Sequence, residues 1–517
     1  MTDVREAAFA LFRGFGMTTI FGNPGSTELP MFKAFPDDFR YVLALQESIA
    51  VAMADGFAQA TRNAALVNLH SAVGVGHALG NLFTAFRNRT PLVVVAGQQA
   101  RATLSHFPFL YAEQATEFPK PYVKWSVEPA RAEDVAAAIA RAYHLAMQPP
   151  RGPVFVSVPV DDWDRPCEML PARQVSRSVR GEAALLAELA TALAEAKRPV
   201  LVVGAEAARG SAWDGVIALA EHHQAPVWVG PFSSRNAFPE DHALFAGFLT
   251  AGREAIVADL AGHDLILVLG APVFTVHVEG FGPHLPEGAT LWQIIDDPAL
   301  AAAAPVGTAI VGDIRDAVAA LLQGEAPARE APKPRPLPAP PPPEPLSDAY
   351  VLSRLAALRT PDSIIVEEAP SARGPMHDHL PILTPDTFYT CASGGLGYGL
   401  PAAIGIALGR PGAKVIALIG DGSAMYAIQA LWSAAQLELP ISFLILNNRR
   451  YEALIGFGRR FGLERSIGTD LGGLDFVALA QGQGVAAARV DSAAALDEAL
   501  AASLASPEPN LVEILIA

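Results

Sequence analysis

Two polar breaks in neighbouring apolar runs carry the chain's clearest chemistry. The run Val415-Ile416-Ala417-Leu418-Ile419 breaks at Gly420-Asp421-Gly422-Ser423, and the run over residues 441–446 stops at Asn447-Asn448. Both runs read as buried strands, with a crossover helix between them. A strand entering Gly-Asp-Gly can turn sharply, because glycine tolerates positive φ and lets the backbone approach a phosphate. The N–H groups freed at the turn, with the N-terminus of the next helix, favour an anion. Asp421 adds a hard carboxylate oxygen and Asn448 an amide oxygen, both at carboxyl ends of strands. Oxygens of this kind suit a small divalent cation that bridges to phosphate. Gly-Asp-Gly alone is common in turns. Joined to Asn-Asn after the next strand, it predicts a magnesium–diphosphate site.

Bulk composition narrows what such a site can serve. The chain has 517 residues, 51% hydrophobic and 17% charged, which describes a packed globular enzyme of two to four domains. A net charge of −16 disfavours nucleic acid and anionic membranes as partners. Cys167 and Cys391 are the only cysteines, so neither a disulfide framework nor a cysteine metal site is expected. Met1-Thr2-Asp3-Val4-Arg5-Glu6 enters a charged amphipathic helix, and apolar runs are strand-length, so the expectation is a soluble cytoplasmic protein.

The elements that must position the motif alternate along the chain. A helix over 5–14 leads to a strand over 18–21 and the turn Gly22-Asn23-Pro24-Gly25-Ser26. Strands follow over 41–45, 65–69, 92–96 and 154–158, with helices over 46–62 and after Gly74. This alternation predicts an α/β protein of doubly wound parallel sheets. Ligands in such sheets sit beyond the carboxyl ends of strands, where Ser26, Glu47 and His70 fall. Polar residues 166–181 read as a linker, and the proline-rich stretch 326–345 as a semi-rigid one. They divide the chain into three units, 1–165, 182–324 and 347–517. The central unit has strands over 200–203, 227–229, 265–269 and 291–295, but Gly204, Gly230 and Gly270 make no complete dinucleotide fingerprint. It reads as a structural domain whose loop after the third of these strands carries His277. The third unit holds the Asp421 motif. Nothing in the sequence requires the first and third units to touch within one subunit.

The arrangement of Gly-Asp-Gly and Asn-Asn resembles the signature of thiamine diphosphate enzymes. Phe21-Gly22-Asn23-Pro24-Gly25-Ser26, Leu45-Gln46-Glu47, Asn68-Leu69-His70-Ser71, Gly97-Gln98-Gln99 and Gly394-Gly395-Leu396-Gly397 extend the likeness to the benzoylformate decarboxylase type, over nearly the whole chain. The resemblance implies thiamine diphosphate and Mg²⁺ as cofactors. It assigns the metal to Asp421, Asn448 and the main-chain carbonyl of Arg450. Glu47, an ordinary helix-start carboxylate on position alone, matches the glutamate that shares a proton with the cofactor's aminopyrimidine ring. Leu396, on its own an ordinary core leucine, matches the wedge under the bent cofactor. The Gly394 carbonyl would receive the exocyclic amine, and Ser371, Gly422, Ser423 and Tyr451 would line the diphosphate side. His70 and His277 match positions over the thiazolium, where an imidazole can pass protons near neutrality. Ser26 would hold the substrate carboxylate. Leu110, Ala453, Leu454 and Phe457 match an apolar pocket wall.

Some positions depart from that pattern. Arg449 and Arg450 stand where small residues are expected, Pro370 replaces a threonine, and Gly456 a tryptophan. The resulting expectation is non-oxidative decarboxylation of an aromatic 2-oxo acid to aldehyde and carbon dioxide, with a carboligase side activity. Alternatives are an acetolactate synthase-like carboligase, a branched-chain 2-oxo acid decarboxylase and a catalytically silent homologue. The first and third units would meet across subunits, which implies a homo-oligomer, expected to be a tetramer.

Overall fold

The computed structural model describes residues 2–517. Its strands form three six-stranded sheets, and every strand pair is parallel. The first sheet contains β1 (Thr19–Gly22), β2 (Arg40–Leu43), β3 (Ala65–Leu69), β4 (Leu92–Gln98), β5 (Ser126–Val127) and β6 (Val154–Pro159), in the order β2-β1-β3-β4-β6-β5. The second contains β7 (Pro199–Val203), β8 (Val227–Val229), β9 (Phe245–Phe248), β10 (Leu265–Leu269), β11 (Thr290–Ile295) and β12 (Thr308–Val311), in the order β12-β11-β10-β7-β8-β9. The third contains β13 (Ile364–Glu368), β14 (Phe388–Thr390), β15 (Val415–Gly420), β16 (Ile441–Asn447), β17 (Ala486–Val490) and β18 (Asn510–Leu515), in the order β14-β13-β15-β16-β18-β17. Central strands such as β3, β4, β10 and β16 are buried at every residue, as parallel strands covered on both faces must be. Residues 168–182 and 325–342 carry no helix or strand.

Two local expectations shift. The helix expected after Gly74 begins at Ser71 and runs to Arg87, with His70 at its N-cap. The crossover from β15 to β16 is two short helices, Asp421–Ala424 and Ala430–Gln436, rather than one.

A larger correction concerns the first and third units, which pack on each other within one chain. The helix Glu47–Thr61 lies against Gly399–Gly409, and one hydrophobic core runs from Met53 and Leu69 through Ile404 to Ile445. The helix Gly399–Gly409 is buried on every side up to Ala407, which an all-apolar helix requires. The two helices meet backbone to backbone. A Cβ added to Gly405 would lie 1.8 Å from the Met53 carbonyl oxygen, and one on Gly56 would lie 2.2 Å from that of Ala402. Their seam also buries Asp55, which accepts hydrogen bonds from Gln59, Asn88, Thr90 and Tyr398. Burial pushes its carboxyl up to about 6 against those four bonds. Loop composition and strand counting gave no sign of this contact, which the close approach at Gly56 and Gly405 allows.

Candidate active site

In the first sheet the winding reverses between β1 and β3, and ligands of doubly wound sheets gather at such a reversal. The turn after β1 carries Ser26, exposed, followed by Thr27 and Glu28, both buried. His70 follows β3 directly. Its Nδ1 lies 2.9 Å from Glu28 Oε2 and 3.0 Å from Thr27 Oγ1. Thr27 donates its own hydroxyl proton to Glu28 Oε1 at 2.5 Å, and Gly25 N–H donates to Oε2 at 2.7 Å. With the threonine proton so used, the proton between these groups belongs on Nδ1 of His70. In the neutral ring Nε2 then keeps its lone pair, and it has no hydrogen-bond partner among the described residues. Two glycines make this packing possible. A Cβ on Gly25 would meet the His70 ring at 2.2 Å, and one on Gly97 would meet Glu28 Oε1 at 2.0 Å.

Glu47 opens its helix next door, where Gln46 caps the free N–H groups of Ser48 and Ile49. Its carboxylate is buried and accepts one side-chain hydrogen bond, from His77 Nδ1 at 3.0 Å. Gly74 separates Glu47 from His70: its missing Cβ would lie 3.1 Å from Glu47 Oε1 and 3.4 Å from His70 Cβ. Leu110 completes this group, its carbonyl accepting the Ser71 hydroxyl at 2.6 Å. Glu28 and His77 were both missed in the sequence. The available signal for Glu28 was its place two residues after Ser26 in a turn already marked as functional.

The third sheet reverses between β13 and β15, and its candidate residues sit at that reversal and on the strand beyond. Asp421 follows β15 and is buried. Its Oδ1 accepts the Gly422 N–H at 2.7 Å, while Oδ2 is buried with no hydrogen-bond partner. Burial raises this carboxyl's pKa, against the backbone N–H groups of Gly422, Arg449 and Arg450. A buried carboxylate oxygen without a protein partner is costly, and a bound cation would offset that cost. Asn448 Oδ1 accepts the Arg450 N–H at 3.2 Å. The Arg450 carbonyl accepts the Glu452 N–H at 3.1 Å, leaving one lone pair, and its guanidinium turns away to Glu452 at 2.7 Å. Arg449 takes a left-handed φ of 61°. Among the described residues no three His, Cys, Asp or Glu side chains gather as metal ligands. The Asp421 carboxylate, the Asn448 amide and the Arg450 carbonyl offer oxygen donors, and their chemistry fits Mg²⁺.

Around that carboxylate, Gly422 is bare because the Tyr451 ring lies on it; a Cβ would fall 2.2 Å from Tyr451 Cε1. Ser423 is buried beside it, and Ser371 is exposed after β13. The loop bearing Gly394 and Leu396 is tied down by a residue the sequence did not reveal. Glu368, at the end of β13, accepts N–H groups from Gly397 at 2.6 Å, Tyr398 at 2.7 Å and Gly399. Burial pushes Glu368 up to about 7 despite those three bonds. Gly394 and Gly397 have φ of 70° and 94°, so this loop needs glycine at both. Ala453, Leu454 and Phe457 lie on the helix Glu452–Arg460, and His277 stacks on Phe457 with ring centroids 4.5 Å apart. The two expected histidines thus fall in different groups: no hydrogen bond, ion pair or ring contact joins His70 to His277 among the described residues.

Comparison with known proteins agrees with this geometry along the whole length. Residues 2–117 match the thiamine pyrophosphate enzyme N-terminal TPP binding domain, 186–321 its central domain, and 371–514 its C-terminal TPP binding domain. The chain is 45% identical to a benzoylformate decarboxylase of Pseudomonas aeruginosa, over 99% of both chains. It belongs to the thiamine diphosphate enzymes of the benzoylformate decarboxylase family. A solved structure of the thiamine diphosphate-dependent 4-hydroxybenzoylformate decarboxylase of Rhodococcus jostii RHA1 superposes with a TM-score of 0.97 at 41% identity, covering 100% of this chain and 99% of that one. A probable acetolactate synthase large subunit of Methanocaldococcus jannaschii is more distant, at 27% identity over 99% of this chain and 91% of its own. Membership in the family explains why both ends of the molecule carry polar groups at sheet reversals. Among the described residues no helix is long and apolar enough to cross a membrane.

Proposed function

We propose that the chain decarboxylates an aromatic 2-oxo acid of the benzoylformate class to an aldehyde and carbon dioxide, using thiamine diphosphate and Mg²⁺. The observation that carries this reading is the stacking of His277 on Phe457, at 4.5 Å and 22° between planes. It joins a proton-carrying ring to the apolar wall, which suits a flat tail beside a reacting carbonyl. Gly456 on the same helix faces open space, with no atom within 4 Å of an added Cβ, so the wall has room for a ring substituent.

When bound, the cofactor supplies a carbon nucleophile and an electron sink. Asp421, Asn448 and the Arg450 carbonyl hold the metal, with Ser371, Gly422, Ser423 and Tyr451 on the diphosphate side. Leu396 would pack against the cofactor and the Gly394 carbonyl would accept its exocyclic amine. Glu47 holds a proton for the pyrimidine ring. Ser26 orients the substrate carboxylate. Nε2 of His70, its tautomer set by Glu28, accepts or returns a proton at the substrate oxygen, and His277, stacked on Phe457, offers a second imidazole for proton transfer.

In one chain these residues form two groups, which supports a site shared between subunits and hence a homo-oligomer. Apolar side chains stand exposed in both units. Leu43, Leu45 and Val73 are exposed close in sequence to Glu47 and His70, while Tyr426, Leu454 and Phe461 are exposed in the third unit, a pattern a second copy would cover. Light scattering at assay concentration should give a dimer or tetramer; a fully active monomer refutes the shared site.

Purified protein with thiamine diphosphate, Mg²⁺ and benzoylformate should release carbon dioxide and benzaldehyde. Values of kcat/KM for benzoylformate, its 4-hydroxy derivative, pyruvate and a branched-chain 2-oxo acid then rank the tails. One methylene in an apolar pocket is worth about 1–3 kcal/mol, or roughly 10–200-fold, and phenyl against methyl should reach at least that. Pyruvate as the best substrate would overturn the aromatic assignment.

A further inference from the structure

Glu47 has a single side-chain hydrogen-bond partner among the described residues, and it is titratable. His77 Nδ1 stands 3.0 Å from Glu47 Oε2. The carboxylate's side chain is 11% exposed and the imidazole's 56%, so one member is enclosed and the other reaches solvent. His77 lies two turns into the helix Ser71–Arg87, on the face that covers Glu47. The glutamate's other oxygen, Oε1, rests over Gly74, in the first turn of that helix. Glu47 opens the helix Glu47–Thr61, and the free N–H groups of Ser48 and Ile49 are taken by Gln46 rather than by its carboxylate. A glutamate that must hold a proton for a ring nitrogen needs a source for it. Water is excluded from its buried side, and the imidazole is the titratable group in contact.

We propose that His77 is a positioning residue that controls the proton on Glu47, and this rests on the reading of Glu47 as the glutamate that faces the cofactor. As Nδ1 releases its proton to Oε2, Nε2 takes one from water. One proton enters the ring and one leaves it, and the ring ends as the other neutral tautomer. Reversal returns the proton to solvent. Other ionisable groups nearby are engaged elsewhere. His70, at the N-cap of the same helix, is held by Glu28 and Thr27. The Tyr41 hydroxyl feels both Glu28 and Glu47 from below, and burial with those two charges pushes its pKa far up, so it keeps its proton.

The test compares His77→Gln and His77→Asn with wild type. Both amides can donate a hydrogen bond to Glu47, but neither carries an exchangeable charge. Titrating thiamine diphosphate and Mg²⁺ into the protein in two buffers of different ionisation enthalpy counts protons taken up per cofactor. In wild type that count should change with pH, because the imidazole in contact with the carboxylate can exchange a proton with solvent. In the variants it should be flat, with cofactor affinity within about threefold of wild type. Hydrogen–deuterium exchange at the cofactor's thiazolium carbon should slow by about tenfold or more, the lower edge of general acid–base effects. A variant that keeps the wild-type proton count and exchange rate overturns the proposal. So does one that loses affinity yet keeps the pH dependence, since that outcome assigns His77 a purely structural grip. Glu47→Gln separates the two readings: unchanged exchange there removes Glu47 itself from the role. Slowed exchange in Glu47→Gln beside wild-type behaviour in His77→Gln leaves Glu47 in place and removes only His77.

Discussion

The first sheet runs β2-β1-β3-β4-β6-β5 and the third β14-β13-β15-β16-β18-β17, which is the same order shifted along the chain. Both reverse at their first and third strands in sequence, and both place polar groups there. What differs is how those groups are satisfied. In the first unit Glu28 accepts from Gly25, Thr27 and His70, a set complete without any ligand. In the third, Asp421 leaves Oδ2 buried and bare. A saturated carboxylate orients a neighbour, and an unsaturated one waits for a cation. One strand order thus carries a hydrogen-bonded carboxylate–imidazole pair in the first unit and a carboxylate with a bare buried oxygen in the third. The fold supplies position, and hydrogen-bond accounting separates the roles.

The harshest way to break this contrast is to remove the unsaturated group. Asp421→Ala takes away the only formal charge assigned to the metal, so cofactor should wash out on gel filtration and kcat/KM fall by more than roughly 10²-fold. Arg450→Ala should keep most of the cofactor, because its guanidinium is turned to Glu452 and only its carbonyl is invoked. Equal damage from both would show that the main-chain assignment is wrong.

The saturated group comes next. Glu28→Gln keeps the size but offers His70 one oxygen and one N–H where the carboxylate offered two acceptors. The amide can force the ring into the other tautomer, with Nδ1 accepting and Nε2 carrying the proton. In catalytic imidazoles a wrong tautomer costs up to roughly 10⁴-fold, and here kcat should drop by about 10²-fold with cofactor affinity unchanged. Steady-state kinetics beside a cofactor titration reads both. A fall in affinity with kcat intact would make Glu28 a prop for the cofactor turn instead.

Much of this was legible before any coordinates. Strands β3, β8 and β10 stand where apolar runs put them, and Asp421, Glu47 and His70 fall at or just beyond strand ends as the alternation demanded. Five of the unanticipated strands have a physical reason. β5, β9, β12 and β14 are two to four residues long, too short for a period to register. β13 ends in Glu367-Glu368, a charged pair that reads as a loop until Arg373 and the three N–H groups of residues 397–399 are seen to hold it. Glu28 and His77 escaped for a related reason. Each acts through a partner 42 or 30 residues away, and only the folded chain brings the pair together.

The shared core offers a milder probe, because it asks whether the two units behave as one body. Gly405→Ala places a Cβ where the Met53 carbonyl stands, and no rotamer can relieve a clash with backbone. Overpacking of this kind costs about 1–3 kcal/mol. Calorimetry of wild type should show the first and third units melting together. The variant should melt at lower temperature, still as one transition if the core is common. Two resolved transitions in wild type would mean that the units only lean on each other.

The smallest effect lies in how stability follows pH, and it distinguishes the seam from the site. Asp55, between the two units, and Glu368, under the Leu396 loop, are pushed up to about 6 and about 7 by burial. Unfolded, both would titrate near ~4. Between those limits the folded chain therefore binds more protons than the unfolded one, and stability falls as pH rises from about 4 to about 7. The opposing case is Glu367, which Arg373 and Thr390 hold below its ordinary value despite full burial. Its contribution is present above ~4.3 and is lost only as pH drops below that, so it does not mask the trend near neutrality. The melting temperature without cofactor should accordingly be higher at pH 5.5 than at pH 8. Asp55→Asn removes one titration and leaves the other, so it should flatten the lower part of that slope whatever it does to absolute stability. Glu368→Gln should flatten the upper part and, because three backbone N–H groups then share one oxygen, also loosen the loop that carries Leu396. Thermal melts across pH on the two variants read this directly. A slope unchanged in both would mean that neither carboxyl titrates where its burial places it.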